Sequence, residues 1–388
     1  MRKPALTLAA AALIAVPLLA ACTENDSSAG GDKADPRALT VNSSADACDI
    51  SATSAPAGTL TFDVTNTGSQ VTEFYLLGED GLTIKAEIEN IGPNINRKLT
   101  VDAAPGKYVT ACKPGMQGDG IRADFTVEKS GDDTAVSADE KQLVDTALAN
   151  YKAYVNDQSD QLVTATEKFV ALYKAGKDDE ARALYPEARL HWERIETVAE
   201  SFGDLDPLTD AREADLEPGQ KWTGWHRIEK DLWPPAGYRT LTPQERATYA
   251  DDLMKNINTL DSRIGGLTYT VDQIANGSRG LLEEVANGKV TGEEEAWSHT
   301  DLWDFQANVD GARVGWEGVK PIVETKDAAL TKQLDERFAA LQTLLDAQKQ
   351  GAGFVFYDQV SDADKKALSD AVNALSEPLS RLTAAVLS

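Results

Sequence analysis

Carboxylates and imidazoles recur along the second half of the chain at spacings that let several side chains reach one ion. In Trp222-Thr223-Gly224-Trp225-His226-Arg227-Ile228-Glu229, His226 and Glu229 stand three residues apart. On a helix both rise from one face and can share a cation, as Glu-x-x-His pairs do in carboxylate bundles. In the stretch from Arg189 to Glu200, which reads as one helix, Glu193, Glu196 and Glu200 follow i, i+3, i+7 spacing. Like charges stacked this way repel unless a cation or basic side chain sits between them. Asp206, Asp210 and Glu213 form an acidic turn downstream, and Glu293-Glu294-Glu295 precede His299, Asp301 and Asp304. Hard carboxylate oxygens with one or two imidazoles suit iron, manganese or zinc better than copper(I). The plainer readings of these segments are a solvated acidic face and a packed core. Trp222, Trp225 and Trp233 around the His-x-x-Glu pair read either as packing or as stacking platforms for a glycan.

All three histidines, at 191, 226 and 299, fall in this half. A blue-copper centre in the N-terminal part is thereby excluded, since it needs two imidazoles and a thiolate. That part does hold Cys112-Lys113-Pro114-Gly115-Met116, a cysteine followed four residues later by methionine, as in a cupredoxin ligand loop. Cys48 and Cys112 read either as a disulfide formed in an oxidising compartment or as thiolates on a non-blue metal, helped by carboxylates such as Asp49, Glu73 and Asp119. A zinc protease would be expected to carry His-Glu-x-x-His, which is absent.

Two periodicities must position these groups. From residue 38 to 129, short alternating runs such as Thr59–Thr65, Thr72–Leu77, Ile84–Ile88, Arg97–Val101, Gly106–Ala111 and Ile121–Val127 are broken by Gly, Pro, Asn and Asp. That pattern predicts a small β-sandwich. Residues 130–136 read as a linker, and from 137 to 388 helical periodicity dominates, as in Leu330, Leu334, Phe338, Leu341 and Leu345. Ser137-Ala138-Asp139-Glu140 and Thr242-Pro243-Gln244-Glu245 read as helix starts, Gly176 and Gly203 as stops. The expectation is an all-α domain of two helical bundles.

The chain carries 63 Asp and Glu against 38 Lys and Arg over 388 residues, a net charge of −25. Such a surface repels phosphate backbones, so nucleic acid is excluded as a partner, and it is ill suited to anionic headgroups. Residues 130–388 hold 47 acidic and 27 basic residues, so the excess sits mostly where the histidines are. Met1-Arg2-Lys3-Pro4 followed by the uncharged apolar stretch Ala5 to Ala21 reads as a secretory signal peptide over residues 1–21. Its end, Leu19-Ala20-Ala21-Cys22, resembles the lipobox of bacterial lipoproteins, which implies lipidation of Cys22 and a flexible tether over residues 22–37. The expected location is extracytoplasmic, anchored to the cell membrane by lipid alone, in a Gram-positive setting.

Together these segments resemble the EfeO family of extracytoplasmic iron-uptake proteins, over essentially the whole mature chain. The resemblance is carried by Gly224-Trp225-His226-Arg227-Ile228-Glu229, which matches Gly-x-His-x-x-Glu, and by His191-Trp192-Glu193-Arg194-Ile195-Glu196. The segment from His299 to Asn308 and the Cys112–Met116 loop add to it. It implies a cupredoxin-like sandwich followed by an imelysin-like (peptidase M75) helical domain that binds iron between two sub-bundles. The implied iron ligands are Glu193, Glu196, Asp210 and one of Glu293 to Glu295, with Glu294 favoured, and His226 and Glu229 nearby; zinc is a plausible surrogate. In the sandwich, Cys48, Glu73 and Cys112 are implied ligands for copper or iron, serving to oxidise iron or hand it over. Implied partners are an EfeU-like membrane iron permease and an EfeB-like haem peroxidase. Capture and delivery of iron is the expected function, without catalysis; the family label supplies the alternative of an M75-type metallopeptidase.

Overall fold

Alternation of exposed and buried residues along Ala38–Ser43 makes β1 a strand with one core face, and the same logic builds eight more. These are β2 (Cys48–Ile50), β3 (Ser54–Pro56), β4 (Gly58–Asn66), β5 (Thr72–Gly78), β6 (Ile84–Ile91), β7 (Asn96–Ala103), β8 (Gly106–Cys112) and β9 (Ile121–Glu128). The computed structural model describes residues 35–131, 137–216 and 218–388. The signal peptide over 1–21, Cys22, nearly all of the tether and most of the 130–136 linker lie outside the described residues.

The strands form two sheets, ordered β2-β1-β4-β7 and β3-β9-β8-β5-β6. Between them lie Leu39, Val41, Leu60, Phe62, Val64, Phe74, Leu76, Ile88, Leu99, Val101, Phe125 and Val127. Strand β5 is buried on both faces. Phe74 and Leu76 enter the core, and alternation sends Glu73, Tyr75 and Leu77 to the outer face. Glu87, which pairs with Tyr75, faces the same way from β6. A disulfide joins Cys48 on one sheet to Cys112 on the other, with Cα atoms 5.6 Å apart. This corrects the expectation of two thiolate ligands: each sulfur is spent on the other. Glu73, the third residue of that set, accepts a hydrogen bond from the Tyr75 hydroxyl at 2.7 Å.

The helical part comprises α1 (Ala138–Lys174), α2 (Asp178–Glu193), α3 (Glu196–Glu200), α4 (Asp206–Thr209), α5 (Trp225–Leu232), α6 (Pro243–Ile264), α7 (Val271–Asn287), α8 (Asp301–Lys326), α9 (Ala328–Asp346), α10 (Asp362–Leu379) and α11 (Leu382–Leu387). Ser137 caps α1, and Thr242 with Glu245 forms a capping box on α6. Two cores result, as the fold reading requires. Phe169, Tyr173, Tyr185, Trp192, Trp225, Leu253 and Leu260 join α1, α2, α5 and α6. Leu282, Phe305, Val309, Trp316, Leu334, Phe338 and Leu375 join α7 to α10. Trp225 is thus core and offers no stacking platform.

The sandwich is seated firmly on the helices, and residues 36–388 form one compact unit. Arg97 pairs with Glu283 at 2.8 Å, the Ile84 amide donates to the Ser201 carbonyl at 2.9 Å, and Asn276 donates to the Thr100 carbonyl at 3.0 Å. Gly203, with φ of 74°, sits so near the Leu82 carbonyl that a Cβ would lie 2.5 Å from its oxygen. Among the described residues no helix is long and apolar enough to cross a membrane.

Because the disulfide closes a loop across a sequence separation of 64, its loss frees much of the sandwich in the unfolded chain. Replacing Cys112 by serine is expected to cost about 2–5 kcal/mol in denaturant unfolding. Both cysteines are expected to resist alkylation until the protein is reduced.

Candidate metal centre

The last turn of α2 carries Arg189 and Glu193, four residues apart on one face. There the helix stops. Arg194 and Ile195 interrupt it, and α3 begins afresh at Glu196, so the expected single helix through Glu200 is two helices with a corner between them. The corner folds Glu193 and Glu196 toward one point, while Glu200 lines the cleft next to the sandwich. Asp210 follows α4 directly. Gly224, with φ of 87°, precedes α5 and lies against the Thr209 backbone with no room for a Cβ. This close approach presses His226 against Asp210.

The third contributor is the turn before α8. Of its consecutive glutamates, Glu293 is exposed and Glu294 and Glu295 are buried. Glu229 fixes the turn by accepting hydrogen bonds from the Trp297 amide at 3.0 Å and the Ser298 amide at 2.7 Å. Glu294 Oε1 then lies 3.3 Å from His226 Nε2, and Asp210 Oδ1 lies 3.4 Å from the same nitrogen. On the other side of the ring, Nδ1 is 3.4 Å from Glu229 Oε2 and 4.0 Å from Glu295 Oε1.

Two cations hold this acidic cluster together. Arg189, wholly buried, pairs with Asp210 and Glu193, with Glu295 at 2.7 Å, with Glu294 at 3.3 Å and with Asp304 at 3.5 Å. Lys289 Nζ, equally buried, lies 3.0 Å from Glu193 and 3.1 Å from Glu196. Asn308 of α8 donates to Glu193 and Glu196 at 3.1 and 2.9 Å.

Burial sets the protonation states together with these partners. Desolvation opposes the Arg189 charge, but Asp210, Glu193 and Glu295 outweigh it and push its pKa up. Glu294 also pays for desolvation, yet Lys289, His226 and Arg189 hold its carboxyl well below the usual carboxylate range. Glu295, Asp304 and Glu196 are pushed up, chiefly by burial. For His226, burial and Arg189 disfavour the charged ring, but Glu229, Glu294 and Asp210 prevail and raise its pKa to about 10.

Donor atoms close enough to share an ion fall into three groups: Asp210, His226 and Glu294; His226, Glu229 and Glu295; and Glu193, Glu196 and Asp210. The second group is spoken for, since Glu229 is taken by two amides and Glu295 by Arg189, Ser298 and Tyr185. In the first, Arg189 likewise engages Asp210 and Glu294, and it is the imidazole that sets the group apart. His226 Nε2 is buried without a hydrogen-bond partner, between two carboxylates. An imidazole nitrogen with oxygen donors beside it is a borderline-hard set suited to iron or zinc. Asp210 and Glu294 also line a cleft of about 540 Å³. Its helical wall further includes Glu196, Asp206 and Glu284, and its sandwich wall Tyr75, Lys113, Met116 and Asp119.

The structure therefore brings together Glu193, Glu196, Asp210, His226, Glu229 and Glu294. It leaves His191 apart, bonded to Gln158 at 2.9 Å with its pKa lowered to about 4 by burial. His299 also lies outside these groups, with φ of 59°. Sequence reasoning missed Arg189 and Lys289 as members of the cluster; it placed Glu295, Asp304 and Asn308 in the third acidic segment but favoured Glu294 there and gave the other three no role. Only the demand for a cation between stacked glutamates hinted at the first two.

Against protein families, the chain matches the imelysin model, peptidase M75, over residues 147–382. It is 40% identical over 286 residues to an Efem/EfeO family lipoprotein of Staphylococcus haemolyticus, covering 73% of this chain and 96% of that protein. It is 38% identical to the iron uptake system component EfeO of Yersinia pseudotuberculosis, over 86% of this chain and 87% of the other. With the protein of the same name from Escherichia coli O6:K15:H31 the identity is 36%, over 86% and 88%.

If Arg189 is the counter-charge that makes the cluster foldable, Arg189→Met should destabilise the protein by about 3–5 kcal/mol at neutral pH, because it leaves buried charges unpaired. Glu196, Glu295 and Asp304 have folded pKa values raised above their unfolded ones. Their protonation favours folding at low pH, and this contribution is lost as pH rises through the folded values. The deficit of the variant, read by denaturant unfolding, should therefore shrink on acidification and grow toward alkaline pH.

Proposed function

The chain belongs to the EfeO family of imelysin-domain (peptidase M75) proteins, and from that premise we propose that it is an extracytoplasmic, lipid-anchored protein that captures iron and delivers it to a membrane permease. The observation that carries the site assignment is His226 Nε2, buried without a hydrogen bond and flanked at 3.3–3.4 Å by Glu294 and Asp210, which line the acidic cleft. Iron enters along carboxylates from the cleft side and is met there by one nitrogen and two oxygens. Glu193 and Glu196 lie next to this point and complete an oxygen-rich shell. Glu229 is a positioning residue: it holds the ring through Nδ1 and the Glu294 turn through two amides.

Iron is cargo in this reading, and the chain needs no bond-breaking machinery to carry it. An M75-type metallopeptidase would need a metal-bound water beside a free general base. Glu229 and Glu295, the carboxylates next to the ring, are already occupied by backbone and side-chain donors. For the sandwich, copper-assisted oxidation lacks its two thiolate ligands while Cys48 and Cys112 are bonded to each other. Its proposed role is to wall the cleft. Lipidation at Cys22 would tether the protein beside an EfeU-like permease, with an EfeB-like haem peroxidase as a further partner.

Titration calorimetry with ferrous iron under anaerobic conditions, and with zinc as a redox-inert surrogate, tests the assignment. His226→Ala and Glu294→Gln should each weaken binding roughly tenfold or more. Because His226 keeps a proton up to about pH 10 and must lose it to bind metal, affinity should rise with pH across the neutral range. Equal affinity of wild type and both variants would sink the assignment.

A further inference from the structure

Among the implied iron ligands, Glu193 and Glu196 are the two whose oxygens a lysine of the chain already holds. Lys289 lies in the short turn Lys289–Thr291 that follows α7. Its ammonium is wholly buried, 3.0 Å from Glu193 Oε2 and 3.1 Å from each oxygen of Glu196. Three acceptors use the full donor capacity of an ammonium. They belong to two of the three residues in the Glu193, Glu196 and Asp210 group. An iron ion that takes those carboxylates needs the same oxygens.

Arg189 is the less movable of the two cations. It spans five carboxylates with a rigid planar fork and ties α2 to α8 and to the segments before α5 and α8. Lys289 is a point charge on a flexible stem, attached just beyond the end of α7. Two further carboxylates act on it, Glu284 and Glu294. Glu284 is half-buried, lies near the end of α7 and lines the cleft of about 540 Å³. It offers the ammonium a counter-charge outside the Glu193–Glu196 pair.

We propose that Lys289 is an internal counter-cation that arriving iron displaces. In the iron-free protein it bridges Glu193 and Glu196 and holds them together; when iron takes their oxygens, it turns toward Glu284 in the cleft. The exchange is of one cation for another and moves no proton on or off the lysine. Its consequence is a threshold, because a cation binds these carboxylates only by outcompeting an ammonium already in place. A multiply charged ion does so more readily than a monovalent one. The inference rests on reading this cluster as the iron site.

The test uses the mature protein with zinc alone and with ferrous iron alone. Amine acylation followed by peptide mass spectrometry should find Lys289 protected without metal and modified on loading. Lys289→Met should bind zinc roughly tenfold or more tightly than wild type, and Lys289→Arg should bind like wild type or more weakly. Lys289 still protected in loaded wild type, or a methionine variant with unchanged or weaker affinity, would overturn the displacement and leave lysine as a structural clamp. Wild type that binds neither metal would remove the iron-site reading itself, a separate failure. Should Lys289→Met not fold, the acylation pattern of wild type decides alone.

Discussion

A wholly buried guanidinium surrounded by five carboxylates is the constraint on which the rest of this molecule depends. Carboxylates removed from water repel one another and lose hydration, so a dry cluster of them folds only with counter-charge inside it. Arg189 supplies that charge from α2 and draws in Asp210 after α4, Glu294 and Glu295 before α8, and Asp304 within α8. Apart from Glu193 on its own helix, these partners come from three different pieces of chain. The pairings therefore fix the meeting of the two helical cores as much as they neutralise charge. Lys289 and Asn308 complete the same task for Glu193 and Glu196.

The sandwich takes part in the same electrostatics. Its outer face carries Glu73, Tyr75, Glu87 and Glu89, directed at the helices by the pleat of β5 and β6. Burial, and the neighbouring carboxylates Glu73 and Glu284, push Glu87 up to about 8. Glu200 and Asp206 across the cleft are raised for the same reasons. Bonds such as Arg97 to Glu283 and Ile84 to Ser201 hold the two walls in register. The cleft between the two walls is acidic, and two of the carboxylates on its helical side, Asp210 and Glu294, flank His226.

Much of this was legible in the residues. Turn-broken alternation marks β4 to β9, capping signals mark the starts of α1 and α6, and Gly-x-His-x-x-Glu marks the helix that carries the imidazole. What periodicity could not give was the corner at Arg194 and Ile195, since helical spacing continues through a break when the residues on both sides remain helix formers. Lys289 was invisible because nothing in a single lysine between Gly288 and Val290 announces burial. Its partners lie about 93 positions away in the chain, a separation that only the fold closes. The cysteines were ambiguous for a different reason: residue type alone does not decide between sulfur bonded to sulfur and sulfur bonded to metal.

The net charge of −25 acquires a different meaning once buried and exposed carboxylates are separated. A solvated acidic surface attracts any cation weakly and is screened within about 8 Å at physiological salt. Inside the cluster, screening is weak, and the charges of Arg189, Lys289 and His226 are set against Glu193, Glu196, Asp210, Glu294 and their neighbours. Such a centre does not gather cations indiscriminately. Its oxygens are already engaged, and on the proposed reading a newcomer must replace a proton on His226 or an ammonium at Glu193. Both demands favour an ion with high charge and affinity for imidazole and carboxylate over one that is merely abundant. On that reading the surface charge gathers cations, and the buried counter-charges choose among them.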